Sequence, residues 1–198
     1  MKSKTVQEFK ETEIGKIPID WNIEKLEDVI ETILDRRGIT PKKLNSDWVK
    51  KGWSVISAKN IKEGKLIRKE IIRFVDHTTY EKWMSKKIKE GDILLTSEGP
   101  LGELYHVKDF KEFCIGQRLF AIRCNAKKIS DNFLFFYLFS IKGQQELSSR
   151  ATGTTVSGIR QEELRKILIC FPKKLNEQQK IGKILLDLHT KIDNLQNQ

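Results

Sequence analysis

The last quarter of the chain carries the clearest pattern of apolar and polar positions. Beyond a Pro-containing break at Phe171-Pro172, apolar residues recur at alternating spacings of four and three, and most positions between them are Lys, Asp, Gln or Asn. The recurring apolar residues are Ile181, Leu185, Leu188, Ile192 and Leu195. This spacing is typical of the a and d seam of a coiled coil.

The same segment predicts a long C-terminal helix that starts after Asn176 as its N-cap and runs from Glu177 to Lys191 or beyond. At about 1.5 Å per residue, roughly 22 residues extend about 33 Å, close to one turn of DNA. Two interpretations stay open. The apolar seam pairs with a partner, or the helix is amphipathic and folds back on its own domain.

The middle of the chain predicts short strands, because β-branched and aromatic residues cluster between Gly, Asp and Asn. The predicted strands cover residues 53–57, 65–74, 92–96, 102–107 and 114–123. Residues 24–34 have helical or mixed spacing, and residues 78–89 predict a short helix. After Asp131 as N-cap, a dense apolar run predicts a buried core helix that ends near Ser148.

A small-residue loop then covers Ala151 to Val156, and residues 160–171 predict a short helix and a strand. Strands therefore concentrate before Arg123 and helices after it. The fold class is α+β, with a mixed or antiparallel β-rich domain followed by the long C-terminal helix.

Positive charge is concentrated in one segment. The chain has 198 residues and a formal net charge of +10, and residues 36–69 contain eleven Lys or Arg against two acidic residues. Trp48 and Trp53 are interleaved with these charges, a pattern that favours contacts to nucleic-acid phosphates around a few base-reading groups. A solvated lysine-rich sheet edge is the alternative.

The residue types exclude several other classes. Cys114, Cys124 and Cys170 have neither zinc nor CxxC spacing, which indicates reduced thiols. The sequence has no apolar stretch near the ~20 residues of a membrane span and its first 15 residues lack an apolar signal core, so we expect a cytoplasmic protein.

Nothing in the sequence predicts a catalytic or metal site. His77, His106 and His189 are scattered without ligand-spaced companions, and phosphate-binding, dinucleotide and nucleophile-elbow motifs are missing. Asp92, Glu98 and Lys108 only loosely resemble a metal-dependent nuclease, because no Glu-x-Lys follows on a neighbouring strand.

Six strings in chain order resemble the specificity subunit of type I restriction-modification systems, and together they cover almost the whole chain. They are ETEIGKIPIDWNIEKLEDV, VISAKNIKEGKL, GDILLTSEGPLGELYHV, IGQRLFAIR, ATGTTVSGI and FPKKLNEQQKIGKILLDLHTKID. The closing combination of loop, proline and EQQKI helix is the most diagnostic of them.

The resemblance implies a target recognition domain at 1–171 and a conserved spacer helix at 172–198. The domain would read a half-site on double-stranded DNA, and the helix would set the half-site distance and dock methyltransferase subunits. Catalysis and S-adenosylmethionine would belong to those partners, so this chain itself would hold no cofactor; whether a restriction/translocase subunit joins stays open.

The family normally carries two recognition domains and two spacer helices in a chain about twice this long. This chain is therefore either a half-subunit that pairs with its own copy through the helix or a part of a longer subunit. Self-pairing predicts a gapped, palindromic target, because identical domains on a two-fold axis read identical half-sites.

The candidate DNA contacts are polar and basic residues in turns between the strands. They are Arg36, Arg37, Lys59, Asn60, Ser97, Glu98, Gln117 and Arg118, with Gly153, Thr154 and Thr155 as phosphate contacts. Gln can bind adenine, Arg can bind guanine and a carboxylate can accept from cytosine. For each residue, the alternative is a turn-forming or solvated surface role. For Gly153, a further alternative is that the backbone needs a conformation that glycine adopts most readily.

Two alternatives of other classes also stay open. One is a stand-alone regulatory protein that binds a specific DNA sequence without partners. The other, less favoured, is a metal-dependent nuclease.

Overall fold

The computed structural model describes residues 8–108, 111–153 and 157–196. The strands are β1 (Phe9–Lys10), β2 (Ile17–Pro18), β3 (Trp21–Lys25), β4 (Ile30–Asp35), β5 (Trp53–Ile56), β6 (Ile61–Lys62), β7 (Lys65–Leu66), β8 (Arg73–Val75), β9 (Ile93–Ser97), β10 (Leu101–His106), β11 (Phe113–Ile115), β12 (Leu119–Cys124) and β13 (Leu168–Pro172). The helices are α1 (Leu26–Val29), α2 (His77–Trp83), α3 (Asp131–Phe139), α4 (Ile141–Ser149), α5 (Gln161–Arg165) and α6 (Leu175–Gln196). Short 3-10 turns cover Pro41–Leu44, Ala58–Asn60 and Lys69–Ile71. This mixed architecture with antiparallel sheets and a long C-terminal helix confirms the predicted α+β class.

The centre of the molecule is a four-stranded antiparallel sheet in the order β10-β9-β12-β4. Its two inner strands are buried on both faces. Phe120 and Ile122 of β12 pack into one core cluster, whereas Leu119 and Ala121 pack into another. Burial on both faces explains why the sequence shows continuous apolar runs here instead of alternation.

Different layers cover the two faces of this sheet. Helices α3, α4 and α5 and strand β13 contribute to one cluster, which contains Phe133, Leu147 and Ile169. The opposite cluster is closed by helix α2 and a three-stranded sheet in the order β11-β5-β8. In that cluster the indole nitrogen of Trp83 donates to the carbonyl of Ile115 over 3.1 Å.

Two predictions of local structure were wrong, and a third was correct only in part. Residues 24–34 are mostly strand, because β4 pairs with β12 and only residues 26–29 form a helical turn. The predicted strand 65–74 divides into β7 and β8 around a 3-10 turn that follows Arg68, whose φ is 48°. The predicted strand 114–123 divides into β11 and β12 at a turn in which Arg118 has a φ of 61°.

The helix boundaries also differ from the predictions. Helix α2 begins after Asp76, whose carboxylate accepts from the amide of Thr79 over 2.7 Å, and it ends at Trp83. The N-cap of α3 is Ser130 rather than Asp131, which lies in the first turn. The predicted core helix breaks at Ser140, because the Ser140 hydroxyl caps α4 by accepting from the amide of Gly143 over 3.2 Å.

Helix α6 begins at Leu175, so Asn176 lies within the first turn and is not the N-cap. One face of α6 packs against its own domain. Gln178 is fully buried: its amide nitrogen donates to Pro172 over 2.8 Å, and its oxygen accepts from the Ser130 amide over 2.9 Å. Gly182 lies so close to Asn132 that a Cβ at this position would come within 2.9 Å of its side chain.

The predicted division at residue 171 falls inside β13, which pairs along its whole length with β3. The first half of the spacer helix therefore rests on the same body as the strands. The assignment of residues 1–171 and 172–198 to separate functional units stays a prediction.

A buried ion pair ties the sheet to the loop before β9. The Arg123 guanidinium donates to both carboxylate oxygens of Asp92, over 2.8 and 2.7 Å, and also to the carbonyl of Lys87 over 2.7 Å. Asp92 accepts in addition from the amide of Lys89 over 2.8 Å. The hydrogen bonds to Asp92 are the first cause of the raised pKa of Arg123.

We expect Asp92→Ala to lower the free energy of unfolding by about 3–5 kcal/mol, because it leaves the Arg123 charge buried without its partner. Urea denaturation measures this change. Glu27→Ala, at the exposed Lys25–Glu27 pair with a separation of 3.8 Å, is the matched control and should cost less than about 1 kcal/mol. Equal losses in the two variants would contradict a structural role for the buried pair.

Candidate nucleic-acid interface

Turns from four parts of the chain meet at one end of the central sheet. Because β12 is antiparallel to both β4 and β9, its first residues lie beside the last residues of those two strands, as the pairs Phe120↔Asp35 and Leu119↔Thr96 show. The turn after β5 joins them, since the Ala58 amide donates to the carbonyl of Gln117 over 3.2 Å. The topology therefore brings together turns that are distant in the sequence, such as those of Gly38 and Gln117, which are 79 residues apart.

These turns line a cleft of about 690 Å³. Its apolar wall is formed by Trp48, Val55 and Trp83, and cationic side chains from Lys59, Arg73 and Arg118 also line it. The Arg73 guanidinium lies 3.7 Å from the ring centroid of Trp48, a cation–π contact. An aromatic wall with cationic groups beside it suits a polyanion whose bases must also be contacted.

A second, open depression of about 690 Å³ adjoins the cleft and shares Gln117 and Arg118 with it. Its other lining residues are Asp35, Arg37, Gly38 and Glu98. Six of the predicted DNA contacts line these two hollows: Arg37, Lys59, Asn60, Glu98, Gln117 and Arg118.

Arg37 is held in place by two interactions. Its guanidinium binds both carboxylate oxygens of Asp35, over 2.9 and 2.7 Å, and it lies 4.1 Å from the ring centroid of the buried Phe120. Arg36 points elsewhere, because its guanidinium donates to the hydroxyl of Ser85. Of the two adjacent arginines, only Arg37 lines the depression shared with Gln117.

Gln117 and Arg118 occupy a tight turn that presents both side chains to solvent. The Gln117 side chain spans the turn after β4: its oxygen accepts from the Gly38 amide over 3.4 Å, and its nitrogen donates to the carbonyl of Ile39 over 3.3 Å. Arg118 forms an ion pair with Glu98, with a separation of 3.2 Å. Both side chains are therefore held in place by contacts with the neighbouring turns.

Asn60 and Ser97 have a different environment, because only 2% and 1% of their surfaces are exposed. The Asn60 side-chain oxygen accepts from the amide and hydroxyl of Ser57, both over 3.0 Å, and its nitrogen donates to the carbonyl of Arg68 over 3.2 Å. The Asn60 side chain therefore stabilises its own turn, which is the turn-forming role given above as the alternative to DNA contact. DNA contact by either residue stays a prediction.

The segment after α4 reaches the same surface. Gly158 forms isolated bridges with both Thr152 and Glu98, which brings this segment beside the Glu98–Arg118 pair. Gly153 is exposed and has a φ of 110°, a backbone conformation that favours glycine. Thr154 and Thr155 lie outside the described residues.

Two aromatic and cationic residues of the cleft were missed as contacts from the sequence. Trp48 was recognised only as part of the basic segment, and Arg73 lies four residues beyond its last lysine, inside a predicted strand. Their pairing across the Trp48 ring depends on β8, whose Phe74 carbonyl accepts from the amide of Val49 over 2.9 Å. No local spacing signals such a contact.

The second candidate surface is the outward face of α6. It carries a stripe of exposed apolar side chains, 37% to 71% exposed, that the domain leaves uncovered: Ile184, Leu185, Leu188, Ile192 and Leu195. Ile181, the first residue of the predicted seam, instead packs against the domain core with Leu186. Both interpretations of the helix therefore describe part of it, since one face is packed and another is exposed.

Other chemistry is limited in the part of the chain that the structure describes. The cysteines are free thiols, and burial raises the pKa of Cys114 to about 12 and that of Cys170 to about 11, so both stay protonated near neutral pH. Among the described residues, no group of three or more His, Cys, Asp or Glu could hold a metal ion. None of the described helices is both long and apolar enough to cross a membrane.

Comparison with known protein families identifies the class of this chain. A family model described as "Type I restriction modification DNA specificity domain" matches residues 18–198. Because this match covers most of the chain, the chain belongs to that family. The resemblance stated from six short strings is therefore confirmed.

Curated relatives include type I restriction enzyme specificity subunits from Methanocaldococcus jannaschii. The putative MjaX subunit is 32% identical over 97% of this chain, and the MjaVIII subunit is 32% identical over 94%. These alignments cover 45% and 43% of the relatives. The chain thus spans a little under half the length of the curated relatives it matches.

Solved structures show the same fold. The S subunit of a type I restriction-modification system from M. genitalium superposes with a TM-score of 0.61 and 19% identity over 90% of this chain and 41% of its own. The HsdS subunit from Thermoanaerobacter tengcongensis superposes with a TM-score of 0.62 and 21% identity over 96% of this chain and 42% of its own. At these identities the likeness concerns the fold alone.

Proposed function

We propose that this chain is a DNA-recognition subunit of a type I restriction-modification complex that reads one DNA half-site and carries no catalytic activity of its own. The observation that carries the proposal is the convergence of Arg37, Gln117 and Arg118 beside a cationic, aromatic cleft. In the same molecule, α6 leaves an apolar stripe exposed. One surface suits DNA and the other suits a protein partner.

The chemistry of the first surface is that of sequence readout. Arg118 can donate two hydrogen bonds to guanine, Gln117 can pair with adenine, and Glu98 can accept from the amino group of cytosine. Lys59 is exposed in its turn and suits phosphate binding, which contributes affinity without sequence information. These roles account for the mixture of charge and amide groups at the site.

The second surface is the proposed site of assembly. Isolated apolar side chains at a surface are common, but five on one helix face form a continuous stripe of the kind that marks protein contacts. We propose that this stripe pairs with a second copy of the chain about a two-fold axis and also docks methyltransferase subunits. The paired chains would then read a gapped, palindromic target.

The reaction itself belongs to the proposed partners. Methyltransferase subunits would bind S-adenosylmethionine and modify adenine within the bipartite target, and a restriction/translocase subunit would join for cleavage. This chain would determine where on the DNA those subunits act. The proposal therefore needs no cofactor in this chain.

We expect Arg118→Ala and Arg37→Ala to weaken binding to the cognate half-site by about 1–3 kcal/mol each and to relax sequence preference at single positions. Lys59→Ala should weaken binding to all sequences and lower the slope of log affinity against log salt by about one. Fluorescence anisotropy with labelled duplexes at several salt concentrations measures both effects.

Lys127→Ala is the control for this series, because Lys127 is exposed and follows the opposite end of β12 from Arg118. Its affinity and salt slope should match those of the unchanged chain. A series in which none of the three substitutions differs from Lys127→Ala would refute the proposed interface.

We expect Leu188→Asp to abolish self-association, because it places a charge in the middle of the exposed apolar stripe. Light scattering across a concentration range should change from a mass near twice 23.1 kDa to the mass of one chain. Asn194→Asp adds the same charge on the polar face of α6 and should leave the mass unchanged. A mass unaffected by Leu188→Asp would show that the stripe does not hold two copies together.

We also expect the chain to co-purify with a methyltransferase subunit of its own system, and adenine methylation of the target to require both proteins. Methylation is measured by protection of target-bearing DNA and by mass spectrometry of its nucleosides. Tight sequence-specific binding with no methyltransferase association would favour a stand-alone DNA-binding protein. DNA cleavage by the purified chain with a divalent metal would instead indicate a nuclease.

A further inference from the structure

A two-stranded hairpin connects the cleft with the spacer helix. Strands β6 and β7 are joined by Glu63 and Gly64, whose φ values of 49° and 80° are typical of a type I′ turn. The hairpin starts directly after the Lys59-Asn60 turn, and only a short segment of chain separates the wall of the cleft from the hairpin tip. The tip points to α6.

The contacts at the tip are specific. The Lys65 ammonium binds the Asp193 carboxylate over 2.8 Å, and both side chains are partly buried. Gly64 lies against His189, since a Cβ at this glycine would come within 3.1 Å of the His189 ring. The same ring packs edge-on against Phe136 and Phe139 of α3. The end of α6 is therefore held between the hairpin and α3.

The base of the hairpin is anchored to the turn that contains Lys59 and Asn60. The Asn60 side chain donates to the carbonyl of Arg68 over 3.2 Å, and the Asn60 carbonyl accepts from the amide of Ile67 over 2.8 Å. The Glu63 amide also donates to the carboxylate of Glu103 on β10 over 2.6 Å. The hairpin is thus tied to both the cleft turn and the central sheet.

Helix α6 consequently has two points of attachment to the domain. Gln178 and Gly182 fix its first half against the segment that starts α3, and His189 and Asp193 fix its second half. Residues 178 and 193 are ~22 Å apart at about 1.5 Å per residue. Ile181 and Leu186 pack against the core between these two attachments, so the contacts at the hairpin tip extend the hold on the helix towards its C-terminal end.

We propose that the β6–β7 hairpin is a brace that sets the angle of the spacer helix and thereby the separation of DNA half-sites that the paired chains accept. Lys65, His189 and Asp193 are positioning residues in this arrangement. The role in half-site separation rests on the function proposed above, but the bracing of the helix does not.

A small change of angle has a large effect on a lever of this length. For a helix about 33 Å long, a tilt of about 10° moves the far end by about 6 Å, close to two base-pair steps of about 3.4 Å. Loss of the brace should therefore broaden the range of accepted separations. It should leave recognition of a single half-site intact, because the cleft residues are unchanged.

The test uses charge reversal in the full-length chain. Lys65→Glu and Asp193→Lys each place like charges together at the tip, and the double variant restores an ion pair of reversed polarity. Lys62→Glu is the matched control, since Lys62 lies on the same hairpin but its ion-pair partner is the exposed Glu63, 3.4 Å away. Circular dichroism and thermal melting establish that each variant is folded.

Hydrogen exchange of the amides in residues 188–196 is measured first, without DNA. We expect several-fold faster exchange in each single variant, normal exchange in the double variant and no change in Lys62→Glu. Binding is then measured on duplexes whose two half-sites are separated by a series of lengths. We expect the single variants to accept lengths that the unchanged chain rejects, and the double variant to regain the narrow preference.

The outcomes separate the two levels of the proposal. Unchanged exchange in the single variants would overturn the brace. Faster exchange with an unaltered length preference would overturn its role in setting half-site separation. If the chain without substitutions binds a single half-site but shows no preference for a half-site separation, paired recognition of a bipartite target is refuted. The hydrogen-exchange comparison would still decide whether the hairpin holds the helix.

Discussion

The pairing of β9 with β12, buried on both faces, is the constraint on which the rest of the structure depends. These strands exchange backbone hydrogen bonds in the centre of the sheet while their side chains enter two separate core clusters. A shift of register by one residue would exchange the two sets of side chains between unlike cores, so the register is strongly specified. The turns at the ends of these strands are positioned as a consequence.

The two ends of the central sheet have different roles. Near one end, Arg123 and Asp92 form a nearly fully buried ion pair with additional backbone partners, which closes that end as a rigid support. At the other end, Arg118 and Glu98 form an ion pair that is about half exposed. Water can compete for the second pair at little cost, so its groups are available to a ligand. The buried pair and the exposed pair thus lie at opposite ends of the same strands.

Helix α6 has two faces with different surroundings, one packed against the domain and one exposed. Its inward face carries Gln178, Gly182 and His189, each fitted to a particular neighbour, and also Ile181 and Leu186, which pack against the core. Its outward stripe carries five exposed aliphatic residues. The contact with the domain therefore combines close approach, hydrogen bonds and two apolar side chains, while four of the five residues of the predicted seam stay exposed.

The sequence alone determined the α+β class, most of the short strands, the long C-terminal helix, the basic segment and the family, because these depend on local periodicity, composition and ordered motifs. It also indicated Arg37, Gln117 and Arg118, since polar residues at strand ends mark turns. Only the tertiary structure decided that these turns meet, that Asn60 is buried and that Arg73 lies on Trp48. Such contacts depend on pairing between strands that are distant in the sequence, and local residue spacing does not reveal that pairing. The two faces of α6 follow the same rule: the apolar repeat predicted a helix, but which face the domain covers depended on the shape of α3.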